Sequence, residues 1–289
     1  MTTIAQELPT RTGTELLWLD LTRKCQLACT HCYNASGPQG DHGTMTREDW
    51  FCVLDQASVC GVRDIQFIGG EPTLHPDFPA LVDRALNNGL DVEVYSNLVH
   101  VSAECWELFE RQGLTLAASY YSDRSAEHNA MTGRPSHGRT RTNIAEAVRR
   151  GIPLRVGIIT GSEAQRVSEA QQDLEALGVT RVRVDHVRPF GRGGQDRAPD
   201  MGNLCGRCGT GRAAIGPTGD VSPCVFSAWL SVGNVKDAPL ASILNGPAMA
   251  RTNASIRSRR NPDDFDGCTP DTDDECSPGT PGSECTPRN

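Results

Sequence analysis

A glycine followed at once by an aliphatic residue recurs along the chain and constrains its fold more than any other feature. The five junctions are Gly61-Val62, Gly89-Leu90, Gly113-Leu114, Gly151-Ile152 and Gly178-Val179. In each, the glycine suits the left-handed position that follows a helix, and the aliphatic residue can then enter a buried strand. With an earlier apolar run at residues 16–21, the junctions predict six strands separated by five helical stretches.

This alternation of strands and helices favours crossover connections and parallel strand pairing. Six units are fewer than the eight that close a barrel. We therefore expect an α/β fold in which a parallel sheet forms a partial (βα)6 barrel, with functional loops at the carboxyl ends of the strands. Helices are expected to begin near Thr46, Pro76 and Ser102, and the first has acidic residues in its first turn, where they complement the helix dipole.

The pattern changes near residue 187. Residues 188–204 are rich in glycine, arginine and proline, which favours a linker or loop. Residues 205–289 contain six cysteines and end in an acidic segment with almost no aliphatic residues. The expected domains are therefore a barrel over residues 1–187, a linker over 188–204 and a small cysteine-rich module over 205–289.

The net charge of −8 is concentrated in the final segment. Residues 261–289 hold eight acidic residues and one arginine, so the rest of the chain is nearly neutral. It therefore has no basic excess of the kind that nucleic-acid binding requires. No apolar run approaches the roughly 18 residues that span a bilayer, so we expect neither a nucleic-acid nor a membrane partner.

The 12 cysteines need an explanation other than folding, because a chain of 289 residues can bury a core without disulfides. The amino terminus has no secretory signal, so we expect a reducing, cytoplasmic location. Cysteines there are more often metal ligands, iron–sulfur ligands or catalytic thiols than disulfides. A secreted disulfide framework is the alternative.

Cys25, Cys29 and Cys32 form the strongest motif and lie in the loop directly after the first strand. Three thiolates can hold three irons of a 4Fe-4S cluster and leave the fourth iron open to a small ligand. The alternative is a zinc site completed by His31 or His42. A second motif, Gly69-Gly70-Glu71-Pro72, follows the second strand.

Together the two motifs resemble the radical S-adenosylmethionine (radical SAM) superfamily. The resemblance implies a 4Fe-4S cluster on the three cysteines and SAM beside the Gly69–Pro72 motif, where glycines allow close approach and Glu71 can pair with the α-ammonium of SAM. It also implies SAM contacts from Tyr33, just after the last cysteine of the triad.

The resemblance extends, more weakly, to the following strands. Ser96 and Asn97 stand where the family contacts the SAM ribose, and Ser119, followed by Asp123, stands at a similar position. Ile158 lies where the family packs the adenine. The alternatives are ordinary turn residues for Asn97 and Asp123 and a core position for Ile158.

Cys205, Cys208 and Cys224 resemble the first half of a SPASM or Twitch extension, which implies at least one auxiliary iron–sulfur cluster. Zinc or redox chemistry is the alternative for such a pair of cysteines two residues apart. The remaining cysteines of the module, Cys268, Cys276 and Cys285, depart from the full SPASM spacing. The six can form one four-cysteine cluster with two left over, or two clusters with three ligands each. We expect the fourth ligand of the first cluster to come from the last three.

Three further cysteines, Cys52, Cys60 and Cys105, lie in predicted helices. Since free cysteine is among the most buried residue types, we expect all three to be packing residues. A hydrogen-atom donor is the alternative.

The resemblance implies an enzyme that cleaves SAM reductively to a 5′-deoxyadenosyl radical and abstracts hydrogen from a substrate. The auxiliary module favours a peptide substrate, matured into a ribosomally synthesised natural product. About fifteen residues precede the first strand, so we expect any leader-peptide recognition to need a separate protein or the barrel itself. The expected electron donor is a flavodoxin or ferredoxin. The alternatives are the same chemistry on a sugar or other small metabolite, with dehydrogenation, epimerisation or dehydration as outcome, and a non-catalytic iron–sulfur or zinc scaffold.

Overall fold

The six predicted strands form one parallel sheet in a computed structural model, which describes residues 11–162 and 164–259. Their order across the sheet is β6-β5-β4-β3-β2-β1, so each strand lies beside its neighbour in sequence. Their bounds are Leu16–Asp20 for β1, Asp64–Ile68 for β2, Asp91–Tyr95 for β3, Leu114–Tyr120 for β4, Leu154–Thr160 for β5 and Arg181–His186 for β6. The predicted parallel α/β fold is confirmed, and the sheet is open.

Helices connect successive strands, as predicted. Their bounds are Arg47–Cys60 for α1, Phe78–Asn87 for α2, Ala103–Phe109 for α3, Ser125–Thr132 for α4, His137–Arg149 for α5 and Val167–Ala176 for α6. Two helices, α4 and α5, occupy the connection for which one was expected. Thr46 and Asp49 cap α1 reciprocally, with the Asp49 amide donating to Thr46 Oγ1 at 3.1 Å. The five junction glycines all have φ between 71° and 88°.

The cysteine-rich module extends the same sheet. Strand β7 (Arg212–Ile215) pairs in parallel with β1, and β8 (Asp220–Ser222) and β9 (Gly233–Asn234) continue antiparallel. Helices α7 (Leu240–Leu244) and α8 (Pro247–Arg259) follow. Strand β1 therefore lies inside the sheet, between β2 and β7, and joins the two parts of the chain.

The two faces of β1 belong to different cores. Leu17 and Leu19 lie in the main core, where the sheet packs on the helices of the barrel. Leu16 and Trp18 lie in a second, smaller core with Cys208, Cys224 and other residues of the module. Alternate side chains of a strand point to opposite faces, so the five consecutive buried residues of β1 serve both cores.

Two of the three helix cysteines are packing residues, as expected. Cys60 and Cys105 are buried, whereas Cys52 is exposed, because it lies on the outer face of α1. The expectation was therefore wrong for Cys52. No helix in residues 11–162 and 164–259 is both long and apolar enough to cross a bilayer.

Candidate active site

The loop after β1 brings the three motif cysteines to one cavity at the carboxyl ends of the strands. Cys25, Cys29 and Cys32 all line it. The loop is fixed by backbone bonds, among them the Cys25 amide to the Gly37 carbonyl at 3.1 Å. The Leu27 amide donates a hydrogen bond to Cys25 Sγ at 3.4 Å. The three cysteines thus line one cavity, and their binding of a single cluster stays a prediction.

Gly69 and Gly70 let this cysteine loop cross the end of β2. A Cβ on Gly69 would lie 2.7 Å from the carbonyl oxygen of Thr22, and one on Gly70 would lie 2.3 Å from that of Lys24. Gly69 also has φ of 137°, in the region that favours glycine. Both glycines line the cavity. Glycine is therefore required at both positions because the backbone of the cysteine loop packs directly against them.

Glu71 is buried and does not line the cavity, and its pairing with the α-ammonium of SAM stays a prediction. Its Oε1 accepts hydrogen bonds from Ser96 Oγ at 2.9 Å and Thr73 Oγ1 at 2.8 Å, and its Oε2 accepts from the Asn97 amide at 2.8 Å. Burial raises the pKa of this carboxyl, and the bonds from Asn97 and Thr73 act in the opposite direction. The carboxylate joins the ends of β2 and β3, and Pro72 beside it is buried without lining the cavity.

Tyr33, Ser96, Asn97 and Ser119 line the cavity, and their contact with SAM stays a prediction. Asn97 Nδ2 lies 3.7 Å from Cys25 Sγ, within the range of a hydrogen bond to sulfur. Gln26 Nε2 donates in turn to Asn97 Oδ1 at 3.1 Å. Asn97 therefore joins β3 to the cysteine loop.

Ile158 and Asp123 lie elsewhere. Ile158 is buried in the main core, and its neighbour Ile159 lines the cavity instead, because adjacent residues of β5 point to opposite faces. Ile158 therefore occupies the core position that was its alternative. Asp123 pairs with Arg166 at 2.9 Å and does not line the cavity.

Arg192 is the main site residue that the sequence interpretation missed, since it lies in the segment expected to be a linker. Its Nε donates to the Cys29 carbonyl and its Nη2 to the Ser36 carbonyl, both at 2.7 Å. The Arg192 amide donates to the Cys32 carbonyl at 2.9 Å. Burial raises the pKa of Cys29 to about 12, and the positive charge of Arg192 acts in the opposite direction. Only the tertiary contact reveals this residue, because its sequence context is that of a flexible segment.

Two histidines and a tyrosine form another wall of the cavity. The rings of His31 and Tyr121 lie 4.9 Å apart, and those of Tyr121 and His128 lie 5.1 Å apart. The Nδ1 atoms of both histidines are buried and have no hydrogen-bond partner among the described residues. Burial lowers the pKa of His31 to about 4, so its imidazole is neutral near pH 7. The polar atoms of this wall can therefore bind a ligand.

A second cavity lies beside the first and contains Cys205, Cys208 and Cys224. Cys224 precedes a short 3₁₀ turn, and the Phe226 amide donates to its Sγ at 3.3 Å. A hydrogen bond with the Cys208 thiol lowers the pKa of Cys205, against the effect of burial. The two cavities share three lining residues, which are Arg188, Val225 and Phe226. Cys268, Cys276 and Cys285 lie outside the described residues.

Both cysteine trios fit iron–sulfur clusters in their donor chemistry. Burial raises the pKa of Cys25 to about 12, so the thiolate that a metal requires needs a compensating positive charge, which iron supplies. Among the described residues, no three Cys, His, Asp or Glu side chains are arranged around a single ion. Cys208 lies within hydrogen-bonding range of both Cys205 and Cys224. The two trios are therefore candidate ligand sets by their residue types.

Family models match both parts of the chain. The model described as "Radical SAM superfamily" matches residues 19–176, which is more than half of the chain. The model described as "Iron-sulfur cluster-binding domain", named SPASM, matches residues 205–276. The second match extends beyond the described residues and includes Cys268 and Cys276.

Curated relatives match about three fifths of the chain. A PqqA peptide cyclase from Xanthomonas campestris pv. campestris is 32% identical over 191 residues, which are 63% of this chain and 50% of that protein. The mycofactocin maturase MftC from Mycobacterium tuberculosis is 32% identical over 189 residues, which are 62% of this chain and 46% of that protein. The chain thus spans about half the length of the curated relatives it matches.

Solved structures share the fold. Streptococcus suis SuiB bound to the precursor peptide SuiA has a TM-score of 0.71 at 16% identity, covering 85% of this chain and 67% of that one. The structure of anSMEcpe with bound AdoMet has a TM-score of 0.69 at 13% identity, covering 84% and 83%. At these identities the likeness establishes the architecture alone.

Proposed function

Because the chain belongs to the radical SAM superfamily, we propose that it cleaves SAM reductively and abstracts a hydrogen atom from a peptide, in the maturation of a ribosomally synthesised natural product. The family's cofactors are a 4Fe-4S cluster and SAM, and the SPASM match implies an auxiliary iron–sulfur cluster. The observation that carries the proposal is the cavity in which Cys25, Cys29 and Cys32 meet the Gly69-Gly70 turn.

The three triad cysteines are the proposed ligands of the SAM-binding cluster. When bound, that cluster supplies the electron that splits SAM into methionine and a 5′-deoxyadenosyl radical. Gly69, Gly70, Ser96, Asn97, Ser119 and Tyr33 are the proposed SAM contacts.

The residues around the cysteine loop keep it in place. Asn97 holds Cys25 from the end of β3, and Arg192 holds the Cys29 and Ser36 carbonyls from the other side. The aromatic rings of Tyr33 and Tyr121 exclude water from the cavity, which protects a reactive radical from unwanted hydrogen donors.

Cys205, Cys208 and Cys224 are the proposed ligands of the auxiliary cluster, with a fourth from Cys268, Cys276 or Cys285. The proposed boundaries remain a barrel over residues 1–187, a connecting segment over 188–204 and the module over 205–289. The connecting segment then has a second task, because its Arg192 contacts the cysteine loop of the barrel.

The peptide substrate is supported by the relatives, since the names of both curated relatives describe peptide cyclisation or maturation. Val225 and Phe226 of the module line the cavity and give it an apolar wall, which suits a side chain of a bound peptide. A flavodoxin or ferredoxin is the proposed electron donor, and the cytoplasm is the proposed location.

The test is hydrogen transfer from a labelled substrate. The protein is reconstituted anaerobically with iron and sulfide, reduced with dithionite and given SAM together with a deuterated short peptide encoded beside its gene. We expect deuterium in 5′-deoxyadenosine and a mass change in the peptide. The matched controls are Cys29→Ala, which should lose both products, and Cys52→Ala, which should keep both because that thiol is exposed and far from the cavity.

Transfer of deuterium from a sugar or another small metabolite, with none from the peptides, would favour the alternative substrate class. Failure of every substrate while SAM is still cleaved would contradict the peptide assignment and leave the radical chemistry in place. Absence of 5′-deoxyadenosine from protein with intact clusters would contradict the proposal that the protein cleaves SAM.

A further inference from the structure

We propose that Arg212 and Trp18 donate hydrogen bonds to the auxiliary iron–sulfur cluster, and that the charge of Arg212 raises the reduction potential of that cluster. The inference rests on the proposed ligands Cys205, Cys208 and Cys224. The inference adds Trp18 of β1 and Arg212 of β7 to the residues that surround the cluster.

Register places the two side chains on the same face of the sheet. Leu16 of β1 pairs with Arg212 of β7, and Trp18 pairs with Ala214. Alternate residues share a face, so Arg212 lies diagonally across from Trp18 on the side of the second core. Both residues line the cavity that contains the three cysteines.

Each of the two side chains has a buried N–H donor that is unused within the described residues. Trp18 is 2% exposed and its Nε1 has no partner, and Arg212 is 8% exposed and its Nη1 has none. An indole N–H and a guanidinium can only donate, so only an acceptor can satisfy them. The inorganic sulfides and thiolate sulfurs of a cluster are such acceptors.

Arg212 is also a buried charge without a counterion in the described part of the chain. Its Nε donates to the Thr210 carbonyl at 3.3 Å, and no carboxylate pairs with it there. The contrast is Arg188, which lines the same cavity but pairs with Asp185 at 2.8 Å. A buried charge is costly unless it is paired, and an iron–sulfur cluster on thiolate ligands is an anion.

The redox consequence follows from charge. Reduction adds one electron to an anionic cluster, so a nearby positive charge favours the reduced form, and hydrogen bonds to sulfur act in the same direction. Loss of the Arg212 charge should therefore make the auxiliary cluster harder to reduce. Loss of the Trp18 N–H, with the ring kept, should have a smaller effect of the same sign.

The experiment isolates the auxiliary cluster in the full chain. Cys25, Cys29 and Cys32 are all replaced by Ala, and the protein is reconstituted anaerobically and titrated by EPR against redox mediators. Into this background are placed Arg212→Gln, which removes the charge, and Arg212→Lys, which keeps it. Trp18→Phe is compared with Trp50→Phe, because Trp50 has an equally buried, unpartnered Nε1 but lies in the main core away from both cavities.

At the potential that half reduces the parent cluster, we expect R212Q to lower the ratio of reduced to oxidised cluster about tenfold, or about 59 mV for a one-electron couple. R212K should change the ratio less than about threefold, because the charge remains. W18F should lose one exchangeable-proton coupling in ENDOR spectra compared between H₂O and D₂O, and W50F should lose none.

Three outcomes would overturn the inference. A ratio for R212Q within twofold of the parent, at full iron content, would show that the charge does not act on the cluster. An unchanged ENDOR spectrum in W18F would show that its N–H is not a donor. If the parent with Cys25, Cys29 and Cys32 replaced binds no iron, the proposed ligand set is wrong and the inference fails with it. If the variants bind iron normally but the reduction potential of the cluster does not shift, only the inference is refuted.

Discussion

Glu71 offers a sharp test, because the resemblance and the structure assign it different tasks. Glu71→Gln replaces one acceptor oxygen by a donating NH₂ group. The two carboxylate oxygens each accept a backbone N–H, one from Asn97 and one from Thr73, so either orientation of the amide faces one of these donors. One buried N–H is then left without an acceptor, which costs about 1–3 kcal/mol, and loss of the charge weakens the remaining bonds.

We therefore expect E71Q to destabilise the protein by about 2–4 kcal/mol, since a charge-assisted bond contributes about 1.5–3 kcal/mol. For a domain of this size that lowers Tm by roughly 5–10 °C. The assay is anaerobic thermal unfolding of the reconstituted protein without SAM, followed by measurement of the SAM dissociation constant at a temperature where the variant is folded. Glu48→Gln is the control, because Glu48 is exposed in the first turn of α1 and its loss should cost only tenths of a kcal/mol.

The opposite pair of results would show that Glu71 does not stabilise the loops. A Tm within about 2 °C of the parent, combined with a SAM dissociation constant raised more than tenfold, would mean that the carboxylate serves SAM rather than the loops.

Three further predictions concern the cavity walls. Gly70→Ala should abolish retention of the triad iron, because the new Cβ meets backbone at 2.3 Å. Gly138→Ala, which has open space around its Cβ, should keep the iron. Iron analysis after reconstitution measures the iron content of both variants. Arg192→Gln should speed iron loss to a chelator at least tenfold, since two charge-assisted bonds to the cysteine loop contribute about 1.5–3 kcal/mol each, and an unchanged rate would contradict the contact. His128→Phe should reduce the loss of stability on acidification. Burial lowers the pKa of His128 from 6.5 to about 3. As the pH falls below about 6.5, this histidine is therefore protonated in the unfolded chain before it is protonated in the folded one, and the folded state loses stability. Urea unfolding at pH 7 and at pH 4 measures this loss of stability in the parent and in the variant.

The features that the sequence predicted correctly are local ones. A glycine that ends a helix acts within a few residues, so the junctions located five strands, and Thr46 and Ser102 marked the helix starts for the same reason. The cysteine spacing and its position after β1 likewise predicted that the three cysteines share one loop, because residues of a short loop cannot lie far apart.

The features that the sequence did not predict depend on register or on distant contacts. Ile158 and Ile159 differ by one residue in a strand, and only the sheet decides which of them faces the cavity. The roles of Arg192 and Arg212 arise from contacts with the cysteine loop and β1, far away in sequence. Periodicity carries no information about such contacts.

Cleavage of SAM in the cavity of Cys25, Cys29 and Cys32 is tested most directly by measuring 5′-deoxyadenosine formation by the full chain. The reconstituted protein is incubated anaerobically with dithionite and SAM, and the product is quantified by mass spectrometry beside Cys29→Ala. We expect product from the parent and none from C29A, with the auxiliary cluster still visible in the variant. Product from C29A, or none from a parent with both clusters intact, would contradict this expectation.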